Sequence, residues 1–84
     1  MACKDLKETI ALMQSDTYHD RFKAEYYQLE TRLNKLEAIL VKYKQGTLEF
    51  EPDSDYKTLY EQFMHMLSYQ SILRVRAVQE GIEL

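Results

Sequence analysis

The sequence predicts an all-α protein, in which a short N-terminal helix precedes a long antiparallel helical hairpin that oligomerises into a helical bundle. Apolar residues recur at alternating steps of four and three over two long stretches, which is the spacing of one face of an α-helix. Only two glycines and one proline occur in 84 residues, and this scarcity of chain-breaking residues favours few long helices over many short strands. A chain of this length forms one domain, residues 1–84.

The N-terminal stretch, residues 4–14, predicts a short amphipathic helix. Leu6, Ile10 and Met13 fall at steps of four and three and form its predicted apolar face. The polar run 15–17 supplies three candidate N-caps, which favours a break before the next helix. A single continuous helix over 4–45 is the alternative.

The stretch 18–45 is the strongest helical signal in the chain. Lys42 and Lys44 suit the negative C-terminal end of the helix dipole, and Gly46 is the residue expected just after the last turn. Its apolar stripe consists of Phe22, Tyr26, Leu29, Leu33, Leu36, Leu40 and Tyr43.

A connector over 46–54 leads to a third helix over 55–80. In the connector, Leu48 and Phe50 alternate with polar residues, and we expect both to fill the end of the hairpin. Asp55 or its neighbour Ser54 is a candidate N-cap, and Gly81 is a natural stop. The inner stripe of the third helix is Tyr56, Leu59, Phe63, Met66, Gln70, Leu73 and Ala77.

A two-helix hairpin has a thin core, because each helix buries only one face against the other. Five apolar residues fall at the edges of the two stripes and would remain exposed in a monomer as a sizeable apolar patch. The sequence therefore predicts a homodimer or higher homo-oligomer, most simply a dimer that forms a four-helix bundle. The predicted interface residues are Tyr27, Ile39, Tyr60, Leu67 and Ile72.

Composition excludes several classes of protein. A net charge of −3 argues against a general nucleic-acid binder or a protein of anionic membranes, since both need a basic surface. No apolar run approaches the ~20 residues that cross a bilayer. The single cysteine, Cys3, and an N-terminus without a signal-peptide pattern predict a cytoplasmic protein.

The sequence lacks the residue patterns of catalysis. It has no glycine-rich phosphate loop and no nucleophile elbow, and its two histidines, His19 and His65, lie far apart along the chain. Met64 and Met66 flank His65, but consecutive helical residues point about 100° apart and do not converge on one ion. We therefore predict that the protein is not an enzyme and binds no metal and no cofactor.

Two sets of residues are candidates for binding. Arginine or lysine beside an aromatic ring suits a phosphate-bearing nucleotide, although such residues are more often solvated helix surface. Four acids around the connector suit a basic protein surface, or form a solvated turn whose last acids favour the helix dipole. The first set is Tyr27, Arg32, Lys35, Tyr60, Tyr69, Arg74 and Arg76, and the second is Glu49, Glu51, Asp53 and Asp55.

Several short motifs resemble one known family over residues 18–84. The first long helix carries Asp20-Arg21-Phe22, Glu25-Tyr26, Arg32-Leu33-Asn34-Lys35-Leu36 and Lys42-Tyr43. The most distinctive piece is the connector Gly46–Pro52, and the third helix carries Ile72-Leu73, Arg76-Ala77 and Glu80-Gly81-Ile82. These motifs are similar to those of small proteins from gut-bacterial phages and prophages, including relatives in crAss-like phages.

The resemblance implies a phage accessory protein that acts by binding in the cytoplasm of the infected bacterium. Two mechanisms are open: a sponge for cyclic-nucleotide immune signals, or a protein-directed inhibitor of a defence system such as CRISPR-Cas. The expected partners are a second copy of the chain and either a host defence protein or its nucleotide signal. The alternative is a homo-oligomeric structural or assembly protein with no immune target.

Overall fold

The computed structural model describes residues 5–84, and that range is helical with no strand. A 3₁₀ turn, Lys7–Thr9, leads into the single turn of α1, Ile10–Met13. Two long helices follow, α2 over Tyr18–Gln45 and α3 over Tyr56–Glu80. They pack against each other as an antiparallel hairpin, which confirms the predicted fold class. Residues 1–4, with Cys3 and the predicted start of the first helix, lie outside the described range.

Both long helices end on a glycine in the left-handed conformation. Gly46 has φ 72° and Gly81 has φ 69°, values that glycine adopts without steric cost. Beyond Gly81, the N–H of Ile82 donates to the carbonyl of Ala77 at 2.8 Å. The Ile82 side chain is buried in the core, and the predicted stop at Gly81 is confirmed.

The core is concentrated at the open end of the hairpin, where α2 begins and α3 ends. The N-terminal segment packs against α2 at this end and supplies a third layer, so residues of both long helices are fully covered there. Towards the connector, α3 presents only half-buried side chains to α2. The main cluster is Phe22, Tyr26, Tyr27, Leu29, Leu73, Ala77 and Ile82, with Leu12, Met66 and Leu84 packed against it.

The N-terminal segment does not use its predicted apolar face. Ile10 and Met13 are exposed, whereas Thr9 is fully buried and Leu6 and Leu12 are half-buried. The reason is the 3₁₀ turn, in which residues three apart share a face. The prediction assumed a regular α-helix from residue 4, and it was wrong about which side chains point inward.

The connector does not close the hairpin in the predicted way. Phe50 is 57% exposed, so the prediction that it fills the end of the hairpin was wrong, while Leu48 is half-buried. The end is closed by an edge-to-face contact between Tyr43 and Tyr56, whose ring centroids are 5.3 Å apart. Tyr43 and Tyr56 therefore close the end of the hairpin, which Phe50 was predicted to do.

Asp55, one of the two predicted candidates, caps α3, and this cap makes stability depend on pH. Its Oδ1 accepts a hydrogen bond from the Thr58 N–H at 2.8 Å, which lowers the pKa of the carboxyl by favouring its charged form. Because the folded-state pKa is lowered, the stabilisation is present above the unfolded-state pKa and is lost as pH falls through the folded-state pKa. We expect Asp55→Ala to lower the melting temperature at pH 7, with the difference from the wild type shrinking in acid.

Circular dichroism melts from pH 7 down into acid measure the effect, with Asp53→Ala as the matched control. Asp53 is also an exposed acid of the connector, but it lies before the cap position. An equal loss of melting temperature in both variants would show that the cap is not the cause.

Candidate functional site

A groove opens between α2 and α3 near the connector, on one side of the hairpin. Its volume is about 370 Å³, and apart from Glu37, Lys44 and Gln45 its lining is apolar or aromatic. We call it the aromatic groove. Its lining residues are Glu37, Leu40, Val41, Lys44, Gln45, Tyr56, Tyr60 and Phe63.

The tyrosines of the aromatic groove form a small stack. The rings of Tyr56 and Tyr60 lie 6.0 Å apart at an angle of 17°, and Tyr43 meets Tyr56 edge-on. Tyr56 therefore contacts two other rings, while Tyr60 keeps 44% of its surface exposed. A planar ligand can therefore stack on the groove without unpacking the hairpin.

Lys44 gives the aromatic groove a positive charge. Its Nζ lies 4.6 Å from the centroid of the Tyr56 ring, a distance at which a cation is attracted to the ring face. An ammonium group beside a tyrosine stack is suited to bind a phosphate that is attached to a stacked base. Glu37, on the α2 side of the same groove, offers an acceptor for a base or sugar donor.

A second concavity lies on the connector itself. It has a volume of about 380 Å³ and combines the exposed Phe50 with Glu49 and Glu51. Two of the four predicted acids therefore share one surface with an exposed aromatic ring, Asp53 is exposed nearby, and Asp55 is committed to its helix cap.

Arg74 lies on the same side of the hairpin as the aromatic groove but does not reach it. Its Nε donates a hydrogen bond to the Tyr26 hydroxyl at 3.0 Å, and its guanidinium lies 5.9 Å from the Tyr26 ring centroid. Fourteen residues separate it from Tyr60, which is about 21 Å along α3. A smaller pocket beside it, of about 230 Å³, is lined by Tyr26, Tyr27, Glu30 and Leu84.

Arg76 faces the other side of the hairpin, because it lies about 160° round α3 from Arg74. Its Nη2 donates to the Tyr18 hydroxyl at 2.8 Å, and its Nε donates to Glu80 Oε2 at 3.1 Å. The Tyr18 hydroxyl in turn donates to Glu80 Oε1 at 2.7 Å. This network links the first turn of α2 to the last turn of α3 across the open end.

The hydrogen bonds of this network shift the pKa values of its members. The hydrogen bonds from Tyr18 and then from Arg76 lower the pKa of Glu80, and the bond to Glu80 raises the pKa of the Tyr18 phenol. The Arg76 guanidinium also lies 5.1 Å from the Phe22 ring centroid. Arg76 is therefore engaged in holding the open end together.

The remaining predicted residues are spread over the surface and the core. Tyr27 is 3% exposed and belongs to the core of the hairpin. Arg32, Lys35 and Tyr69 are exposed, and Tyr69 lies about 180° round α3 from Tyr60. Of the predicted interface, Ile39 and Leu67 are half-buried, while Tyr60 and Ile72 are exposed.

Sequence reasoning missed the partners that build the aromatic groove, above all Lys44, Tyr56 and Phe63. A usable signal was the connector, because a hairpin turn after Gly46 brings the last turn of α2 beside the first turn of α3. Within residues 5–84, no three His, Cys, Asp or Glu side chains group closely enough to hold a metal ion. None of the helices in that range is long and apolar enough to cross a membrane.

A protein-family model described as Sequestin matches residues 16–79 of the chain. The chain belongs to the Sequestin family. In this Sequestin the match covers α2, the connector and all of α3 except its last residue, Glu80. It therefore includes every residue of the aromatic groove and leaves the N-terminal segment outside. No curated protein and no solved structure matches the chain significantly.

Proposed function

We propose that this Sequestin is a non-enzymatic phage protein that binds and sequesters a nucleotide signal of the bacterial immune response, with cyclic nucleotides as the ligand class. The family name supports the sequestering activity. The observation that carries the nucleotide assignment is the stacked pair Tyr56 and Tyr60 with Lys44 beside it. Sequestration needs binding alone, which agrees with a site that combines a stacking surface and one cation.

In the proposed complex, a nucleobase stacks on Tyr60 and its apolar edge contacts Phe63 and Val41. Lys44 binds a phosphate through a charge-assisted hydrogen bond, and Glu37 accepts from a base or sugar donor. The groove volume of about 370 Å³ lies within the range of about 300–1,000 Å³ that is usual for small-molecule sites. The proposal places the protein in the cytoplasm of the infected bacterium, and an origin in gut-bacterial phages related to crAss-like phages belongs to the same proposal.

Isothermal titration with a panel of cyclic di- and trinucleotides tests this function. We expect Tyr60→Ala to weaken the binding of the accepted nucleotide by about 1–3 kcal/mol, the usual value of one base–aromatic stack. Tyr60→Phe keeps the ring and is expected to bind as the wild type does. Tyr69→Ala is the matched control, because Tyr69 has nearly the same exposure on the opposite side of α3.

A wild-type protein that gives no heat with any nucleotide of the panel would contradict the proposal. An equal loss in Tyr60→Ala and Tyr69→Ala would contradict the assignment to the aromatic groove. Lys44→Ala is expected to weaken nucleotide binding. The affinity of this variant should also depend less on salt concentration than that of the wild type, because the lost contact is electrostatic.

A protein-directed inhibitor of a defence system such as CRISPR-Cas is the second candidate. It is supported by the exposed Phe50, which shares its concavity with Glu49 and Glu51, since an aromatic ring among acids suits a basic protein surface. Phe50→Ala separates the two mechanisms: it should leave nucleotide binding unchanged and weaken capture of a host protein. A purely structural, homo-oligomeric role would be favoured if neither ligand bound.

A further inference from the structure

One face of α3 carries a row of small and apolar residues, all of them exposed except the half-buried Leu67. Ser71, at the centre of the row, lies about 160° round the helix from the fully buried Leu73. Val75 and Val78 are 56% and 84% exposed. We call the row the outer stripe, and its members are Met64, Leu67, Ser71, Val75 and Val78.

The spacing of the outer stripe is symmetrical about Ser71. From Met64 to Val78 the steps are three, four, four and three, so the row reads the same in either direction. An antiparallel copy related by a two-fold axis at Ser71 would place Met64 opposite Val78 and Leu67 opposite Val75. These are the paired contacts of an isologous interface with coiled-coil spacing, and the small Ser71 allows the two helices to approach closely at the axis.

Charge also favours a second copy as the occupant. The chain carries 14 acidic residues, yet none lies between residues 62 and 79. The two arginines in this range are engaged within the subunit, Arg74 with Tyr26 and Arg76 with Tyr18 and Glu80. Two copies of the outer stripe would therefore meet without like charges in contact. The stripe has no free charge that would bind a strongly charged partner.

We propose that the outer stripe pairs with the same stripe of a second copy, antiparallel about Ser71, to form a homodimer with the two α3 helices at its centre. This interface differs from the one predicted at the edges of the hairpin, because Tyr27 is buried and Ile72 lies off the stripe, while Leu67 is kept. It also bears on ligand binding. Val78 of the second copy lies beside Met64, one helical turn from Tyr60, and so extends the wall of the aromatic groove.

Size-exclusion chromatography with light scattering tests the interface on the full chain. The wild type is expected to be a dimer, and Met64→Glu is expected to raise the dimer dissociation constant by about 100-fold, because it buries an unpaired charge twice. Ile72→Glu is the matched control: Ile72 is 58% exposed on the same helix but lies about 100° from Ser71. It should remain dimeric.

A double variant tests the register. Met64→Glu with Val78→Lys places opposite charges face to face twice in the antiparallel pair, so it is expected to recover the dimer. A parallel pair would bring like charges together and would not recover it. Circular dichroism checks that each variant folds. If Met64→Glu does not fold, Val78→Lys alone, at a highly exposed position, is expected to raise the dimer dissociation constant instead.

A wild type that is monomeric at high micromolar concentration would overturn the inference. Equal dissociation by Ile72→Glu and Met64→Glu, or no recovery in the double variant, would overturn it as well. Nucleotide titration keeps this result separate from the proposed function. A monomer that binds nucleotide leaves the function standing, and a dimer that binds none leaves the interface standing.

Discussion

Leu73→Ala is expected to lower the free energy of unfolding by about 2–5 kcal/mol, the usual cost of removing a buried leucine side chain and leaving a cavity. Leu73 has no exposed surface and lies in the core cluster with Phe22, Tyr26 and Ala77. It lies near the open end of the hairpin, where the N-terminal segment adds a third layer to α2 and α3. A domain of this size has a total stability of about 5–15 kcal/mol, so the change removes a large share of it.

Urea unfolding followed by circular dichroism measures this loss, and Ile72→Ala is the matched control. Ile72 is the preceding residue of the same helix but is largely exposed, so its truncation is expected to change stability by less than about 0.5 kcal/mol. If the two variants lost the same stability, the core would not be organised around Leu73 as the structure describes.

The hairpin was predictable because its signals are local. Alternating steps of four and three over Phe22 to Tyr43 specify one helix face, and Gly46 and Gly81 mark the ends where the backbone turns left-handed. Asp55 was one of two candidate caps, and the structure selects it. Each of these features depends on neighbours within about one helical turn, which sequence spacing records directly.

The features that were missed depend on contacts between distant segments. Tyr26 and Tyr27 are adjacent, and the spacing allowed only one of them at the centre of the stripe. Both are buried in the structure, where α2 is packed by the N-terminal segment as well as by α3. Phe50 was expected to close the hairpin, but the contact between Tyr43 and Tyr56 depends on the path of the connector, which no periodicity encodes.

The candidate site was only partly predictable for the same reason. Tyr60 was identified, but its partners Tyr56 and Lys44 come from opposite sides of the connector. Arg74 and Arg76 were grouped as cations expected beside tyrosines, although residues two apart on a helix point to nearly opposite sides. The structure separates them into two different roles, one beside Tyr26 and the other across the open end.

Thr9→Val is expected to lower the free energy of unfolding by about 1–3 kcal/mol, because it removes the two hydrogen bonds of a buried hydroxyl. Thr9 is fully buried, and its hydroxyl donates to the Leu6 carbonyl at 2.7 Å and accepts from Gln28 Nε2 at 3.0 Å. Valine keeps the volume of the side chain and removes both bonds. The bond to Gln28 joins the 3₁₀ turn to α2 by a direct side-chain contact.

Thr17→Val is the matched control, because the Thr17 side chain makes no capping hydrogen bond at the start of α2. Hydrogen exchange shows which part of the protein is destabilised. Thr9→Val should speed amide exchange around Ala24 and Thr31, in the half of α2 that the N-terminal segment covers. Exchange at the connector end of α2 should not change. The N-terminal segment lies outside the Sequestin match, so a local loss of protection would show that residues beyond the matched range stabilise the hairpin. Equal stability of the two variants would instead assign the docking of that segment to the apolar contact of Leu12 with the core.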